Sequence, residues 1–204
     1  MSERLASYLD ALASERPAPG GGSAAALVGA LAAALVAMVA RLTALNPKFD
    51  AKAADANALT AEADRLRADL EKARAADEAA FEAVVAAQKL PKTTDEEKTE
   101  RTAHVQRALT AACKAPLAAA HLALQTLELS ERACALSNTH LMSDLGCAAE
   151  FAAASLHGSA YNVRANHSWL HDREMIAATE ASLRALEAAL PGPLERVRRA
   201  TAAA

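Results

Sequence analysis

Aromatic residues are scarce in this 204-residue chain: three Phe, two Tyr and one Trp make up 3% of it. Sandwiches and barrels draw on aromatic and β-branched residues for their strands, so this scarcity excludes them. Glycine and proline are also few, seven of each, and they cluster, so breaks in regular structure are few and sharp. The three cysteines (Cys113, Cys134 and Cys147) are odd in number and form no CxxC pair. That excludes a disulfide framework and fits a reduced, cytoplasmic protein. Charge of one sign is not concentrated anywhere: 22 basic and 25 acidic residues are interleaved to a net −3, so no nucleic-acid partner is expected.

What the chain has in abundance is alanine, at 58 positions, several times ordinary usage. An apolar content of 52% is enough to bury a core, and the length suits one domain, residues 1–204. Ser23 to Ala40 runs 18 residues without a charge, the lower limit for a membrane span. Half alanine, interrupted by Gly29 and without aromatic anchors, the run is expected in a protein core and not in a membrane. The start of the chain mixes Glu3, Arg4, Asp10, Glu15 and Arg16, unlike the short basic start of a signal peptide.

Punctuation divides the chain into helices. Residues 2–15 carry Leu5, Tyr8, Leu9 and Leu12 at helical spacing and end at the Pro17–Gly22 cluster. Ser23 is expected to cap the apolar helix that follows, to about Leu45. Residues 51–89 read as one long charged helix. Another spans Asp95 to Leu136, its first turn acidic, with a kink or break expected near Pro116. Ser143 is expected to cap a helix carrying Leu145, Ala149, Leu156 and Val163. Residues 171–190 form an amphipathic helix closed by Pro191-Gly192-Pro193, leaving a short, frayed tail. The fold class expected is all-α, an up-and-down bundle of long helices. One helix is too long for a small globule, and oligomerisation would bury the excess.

Several positions can carry chemistry. Gly20-Gly21-Gly22-Ser23 opens a helix, where bare N–H groups bind anions, although a plain helix breaker has the same composition. Asp77 and Phe81 lie one turn apart, with Gln88 two turns beyond Phe81, so an acid and a ring can share a face; spacing alone favours a solvated face for Asp77 and Glu78. Lys89 and Lys92 flank a helix C-terminus as caps or as an anion clamp. Asn138, Asp144, Asn162 and Asn166 lie on or near an alanine-rich helix. Amides there either satisfy backbone groups between helices or meet a polar heterocycle. His167 and His171 are at ligand spacing, but without a Glu-x-x-His a metal centre is not expected. The cysteines read as small buried residues.

Several of these stretches occur together in a characteristic order. They are Ala18-Pro-Gly-Gly-Gly-Ser-Ala-Ala-Ala26, Asp77-Glu-Ala-Ala-Phe81, Lys89-Leu-Pro-Lys-Thr-Thr-Asp-Glu-Glu-Lys98, Ala115-Pro-Leu117, Ser143-Asp-Leu-Gly-Cys-Ala-Ala149, and Gly158-Ser-Ala-Tyr-Asn-Val163 with Asn166. In these the sequence resembles the cyclodeaminase/cyclohydrolase family of folate enzymes. The resemblance implies an all-helical homodimer that holds a tetrahydrofolate derivative between helices, without a metal or further cofactor. It implies a stand-alone form, with Asp77 as the catalytic acid. Ligand contact is implied at Gly20, Gly21, Gly22, Ser23, Phe81, Lys89, Lys92, Asn138, Asp144, Asn162 and Asn166. Formiminotetrahydrofolate cyclodeaminase is the activity expected first. A methenyltetrahydrofolate cyclohydrolase using the same groove, or an inactive folate-binding relative, is the alternative. The chain departs from the family at Leu45-Asn-Pro-Lys-Phe49, where members carry a lysine-rich stretch that would attract a glutamate tail.

Overall fold

A side chain that ends at Cβ lets helices approach closely, and the apolar run uses this property. In a computed structural model, which describes residues 5–136 and 139–204, the run forms α2, Gly21–Ala44. It packs most extensively on α3 (Ala53–Gln88) and α5 (Met142–His167), and also on α4 (Asp95–Leu136). At the α2–α5 crossing a Cβ added to Gly29 would lie 2.6 Å from Ser155 Oγ, and one added to Gly158 would lie 3.0 Å from Ala25 Cβ. These are the two helices that deliver the glycine turn and the Asn162–Asn166 pair. Their separation therefore sets the width of whatever lies between those residues.

The fold is all-α, with no strand among the described residues. Four long helices run up and down, a short α1 (Leu5–Leu12) lies against one end, and α6 (Arg173–Ala189) and α7 (Pro191–Ala202) close the far side. One core joins α2, α3, α4 and α5 around Val36, Leu66, Leu70 and Leu129. A second joins α4 and α5 to α6 and α7 around Leu127, Leu156 and Leu183. A third and smaller cluster holds Ala80, Val84, Leu109, Ala112, Cys113 and Leu170. Arg164 on α5 ties down α6 by gripping both Glu180 and Glu187 at 2.7–3.1 Å. α2 is long and apolar enough to cross a membrane, and 61% of its apolar window is buried inside the bundle.

Several expected boundaries shift for local reasons. Ser23 does not cap α2: the glycines enter the helix, Gly20 becomes the N-cap, and Ser23 sits in the first turn. Ser143 likewise lies inside α5, because a 3₁₀ turn at Thr139–Leu141 runs directly into that helix. A second 3₁₀ turn, Pro47–Lys52, precedes α3 and is capped by the Asn46 side chain. The prolines at 191 and 193 open α7, since a proline in the first turn removes only an N–H that has no helical partner.

Pro116 does not break α4. A proline there leaves the carbonyl four residues back, that of Ala112, without its helical donor. The Asn166 side chain supplies the missing bond, donating Nδ2 to Ala112 O at 2.8 Å.

Candidate active site

Where the N-terminus of α2 meets α3, α4 and α5, a cavity of about 410 Å³ opens to the surface. Its floor is Val84, Leu109 and Ala112, members of the third core cluster. Phe81, 40% exposed, and Trp169, 72% exposed, stand at its rim. Gly20, Gly21 and Gly22 form one wall, Asn162 and Asn166 another, and Asp77 and Glu78 are its titratable lining residues. An apolar cavity with a few converging polar groups is the usual form of a small-molecule site.

Asp77 lies at the glycine turn. A Cβ at Gly22 would be 2.6 Å from Asp77 Cγ, so no larger residue fits there while the carboxyl keeps its place. No glycine of the chain has a positive φ among the described residues; Gly22 serves space and not backbone conformation. The Ser23 backbone N–H donates to the Asp77 carboxyl. The helix N-terminus, expected to bind an anion, thus already holds one from the protein itself. Burial raises the Asp77 pKa from its ordinary 3.8, opposed by the Ser23 N–H bond and reinforced by the charge of Glu78. Such a carboxyl takes up and releases a proton closer to neutrality than an exposed one.

The remaining expected residues divide by position. Phe81 lines the cavity, and Gln88 lines its far end. Asn162 lies beside Gly21, where an added Cβ would be 3.3 Å from Nδ2, and donates to Gly158 O at 2.8 Å. Asn166 lines the cavity while one N–H of its amide completes α4. Ser23 is fully buried behind the wall, with its hydroxyl turned to Glu78 at 2.6 Å; only its main chain reaches Asp77. Lys89 lies in a neighbouring groove with Arg16 and Glu82, which shares Pro17, Ala18 and Phe81 with the cavity.

Three expected contacts are not brought to this cavity. Lys92 is exposed beyond the end of α3, in the polar connection to α4. Asp144 begins α5, and 18 residues of helix at 1.5 Å each place it about 27 Å from Asn162. Asn138 lies outside the described residues. His167 is engaged by Thr179, at 2.7 Å, and no cluster of three or more His, Cys, Asp or Glu occurs among the described residues. Burial pushes the Cys113 thiol below the floor up to about 11, which keeps it protonated and unreactive.

The sequence reading missed Trp169 and Glu78. Trp169 is the chain's one tryptophan, in a polar stretch, which was the available signal. Gln106 fixes its segment at the rim, donating to Trp169 O at 3.0 Å and accepting from His171 N at 2.7 Å.

The sequence pattern of the formiminotransferase-cyclodeaminase family matches residues 4–185. The chain belongs to that family. Within it, the chain is 41% identical over 189 residues to a methenyltetrahydrofolate cyclohydrolase of Methylorubrum extorquens, an alignment that covers 93% of this chain and 89% of the relative. It is 36% identical over 91 residues to the pig formimidoyltransferase-cyclodeaminase, covering 45% of this chain and 17% of that much longer protein. In structure it is similar to the formiminotetrahydrofolate cyclodeaminase of Thermotoga maritima, with a TM-score of 0.87, 25% identity, and coverage of 98% and 96% of the two chains.

Proposed function

We propose that this family member is a folate one-carbon enzyme acting at the carbon that bridges N5 and N10 of 5,10-methenyltetrahydrofolate, and that it works as a cyclohydrolase. The observation that carries the reading is the Asp77 carboxyl, partly withdrawn from water at the end of an apolar-walled cavity, with its proton affinity raised. In hydrolysis Asp77 takes a proton from a water whose oxygen bonds to the amidinium carbon. As the C–N5 bond breaks, Asp77 returns that proton to N5, the second water proton leaves to solvent, and the carbon remains on N10 as a formyl group. A base that becomes an acid within one turnover needs a pKa near the working pH. Phe81 and Trp169 offer aromatic faces to the ring systems, and Asn162 offers an amide at their edge.

The second reading, cyclodeamination, uses the same atoms: N10 attacks the formimino carbon, Asp77 handles the proton, and ammonia leaves. The likeness to the Thermotoga cyclodeaminase favours it. The Methylorubrum relative, with higher identity at nearly full length on both chains, favours cyclohydrolysis more strongly.

Absorbance of the methenyl compound tests both. Loss of its band faster than in buffer supports hydrolysis. Growth of the band from 5-formiminotetrahydrofolate, with ammonia released, supports cyclodeamination. No change in either sinks the enzyme reading. The chain acts in the cytoplasm as a homodimer in this reading, with no membrane or nucleic-acid partner. Its own apolar stripe on α2 forms the contact between copies.

A further inference from the structure

Asp77 does not stand alone at the end of the cavity. Successive helix positions point about 100° apart, yet Asp77 and Glu78 both engage the first turn of α2. Ser23 serves the two of them, with its backbone N–H on Asp77 and its hydroxyl on Glu78 Oε1 at 2.6 Å. Arg74, one turn earlier on α3, donates to the same Glu78 oxygen at 2.8 Å. The Arg74 guanidinium lies 5.2 Å over the Tyr8 ring. Tyr8 Oη is 2.8 Å from Ser23 Oγ. Because the Ser23 proton points to Glu78, Tyr8 is the donor in that bond. A surface ion pair would need neither Ser23 nor Tyr8, which are 0% and 3% exposed.

We infer that Glu78 is a positioning residue for the chemistry at Asp77: held by Ser23 and Arg74, it fixes the first turn of α2 against that carboxyl and keeps a second negative charge beside it. The inference rests on the reading of Asp77 as the acid–base group. Among the described residues, Glu78 acts on Asp77 through its charge, and Arg74 is paired with that Glu78. Around Asp77, α3 contributes these two, α1 contributes Tyr8, and α2 presents main-chain N–H groups. The lining side chains of α5 are the Asn162 and Asn166 amides and Ala165, and those of α4 are Leu109 and Ala112. A negative neighbour favours the protonated carboxyl, and a positive one opposes it.

The test follows the Asp77 carboxyl carbon by NMR in protein labelled at aspartate, with Asp77→Asn assigning the resonance. Glu78→Gln is expected to move the Asp77 titration to lower pH by about half a unit or more, and Arg74→Gln to higher pH. A structural role alone would lower the melting temperature in both without opposite displacements. Glu78→Asp keeps the charge but cannot span to Ser23, so it should titrate near wild type and lose about tenfold in kcat. An Asp77 titration unmoved in both Glu78→Gln and Arg74→Gln overturns the charge role, and wild-type kcat in Glu78→Asp overturns the positioning role. The titration is read without substrate. A protein inactive on both folate compounds that still shows the opposite displacements would refute the proposed function and leave the coupling standing.

Discussion

Gly22 and Asp77 share one small volume, and both ends of that contact can be probed. Gly22→Ala places a methyl where the Asp77 carboxyl now sits. We expect overpacking to cost about 1–3 kcal/mol in stability, and turnover to fall further as the carboxyl is displaced, read by denaturant titration and initial rates. Asp77→Asn keeps the volume and an acceptor for the Ser23 N–H but loses the proton exchange. Turnover should fall by about 10²-fold or more, and a variant with the wild-type rate would remove Asp77 from the mechanism. The same substitution has a stability signature. With its pKa raised in the folded state, Asp77 contributes stability that is fully present below its unfolded value of 3.8 and lost as pH rises through the folded value. At neutral pH Asp77→Asn should therefore melt higher than wild type, with the difference shrinking toward zero below pH 3.8. A melting curve at two pH values checks the sign.

The continuity of α4 through Pro116 depends on a side chain from α5. Pro116 and Asn166 are 50 positions apart, and the bond between the Asn166 amide and Ala112 O joins them across two helices. Asn166→Leu strands a buried carbonyl and should cost about 1–3 kcal/mol. In a Pro116→Ala background the alanine N–H can satisfy Ala112 itself, so the same change should cost clearly less. A double-mutant cycle by chemical denaturation reads the coupling, and additive costs would show the two sites to be independent.

At the scale of the whole molecule, an open apolar stripe runs along α2. Ala24, Val28, Leu31, Leu35, Met38, Leu42 and Leu45 alternate at spacings of four and three, the pattern of a helix that pairs with another. Leu31, Met38 and Leu42 are 46%, 37% and 47% exposed, and Leu45, at the helix end, is 80% exposed. The stripe is small at Ala24 and large at Leu45, with Leu35 at its centre. Antiparallel pairing with a second copy sets the small end of each helix against the large end of the other, which a two-fold axis through Leu35 satisfies. We expect a dimer by light scattering and a monomer for Leu31→Glu/Leu42→Glu. A monomeric wild type, or an unchanged dimer in the double variant, would count against this contact.

The class and order of the helices were legible in the chain alone. Alanine richness, the few glycine and proline clusters and the 3.6-residue periodicity are local properties, and they act before any long-range contact forms. The family resemblance grouped Asp77, Phe81 and the glycine turn, whereas spacing alone favoured a solvated face for Asp77. The sequence could not tell that Ser23 and Ser143 lie inside their helices or that Asp144 and Lys92 lie away from the cavity, because a helix fixes a residue's angle while packing decides what that angle faces. Helix packing alone brings the glycines to make room for an aspartate 55 residues away, turns the Ser23 hydroxyl to Glu78, and sets an asparagine against the carbonyl that a distant proline leaves free. Each depends on two helices crossing at a separation set by side chains from both, and a one-dimensional pattern does not carry that quantity.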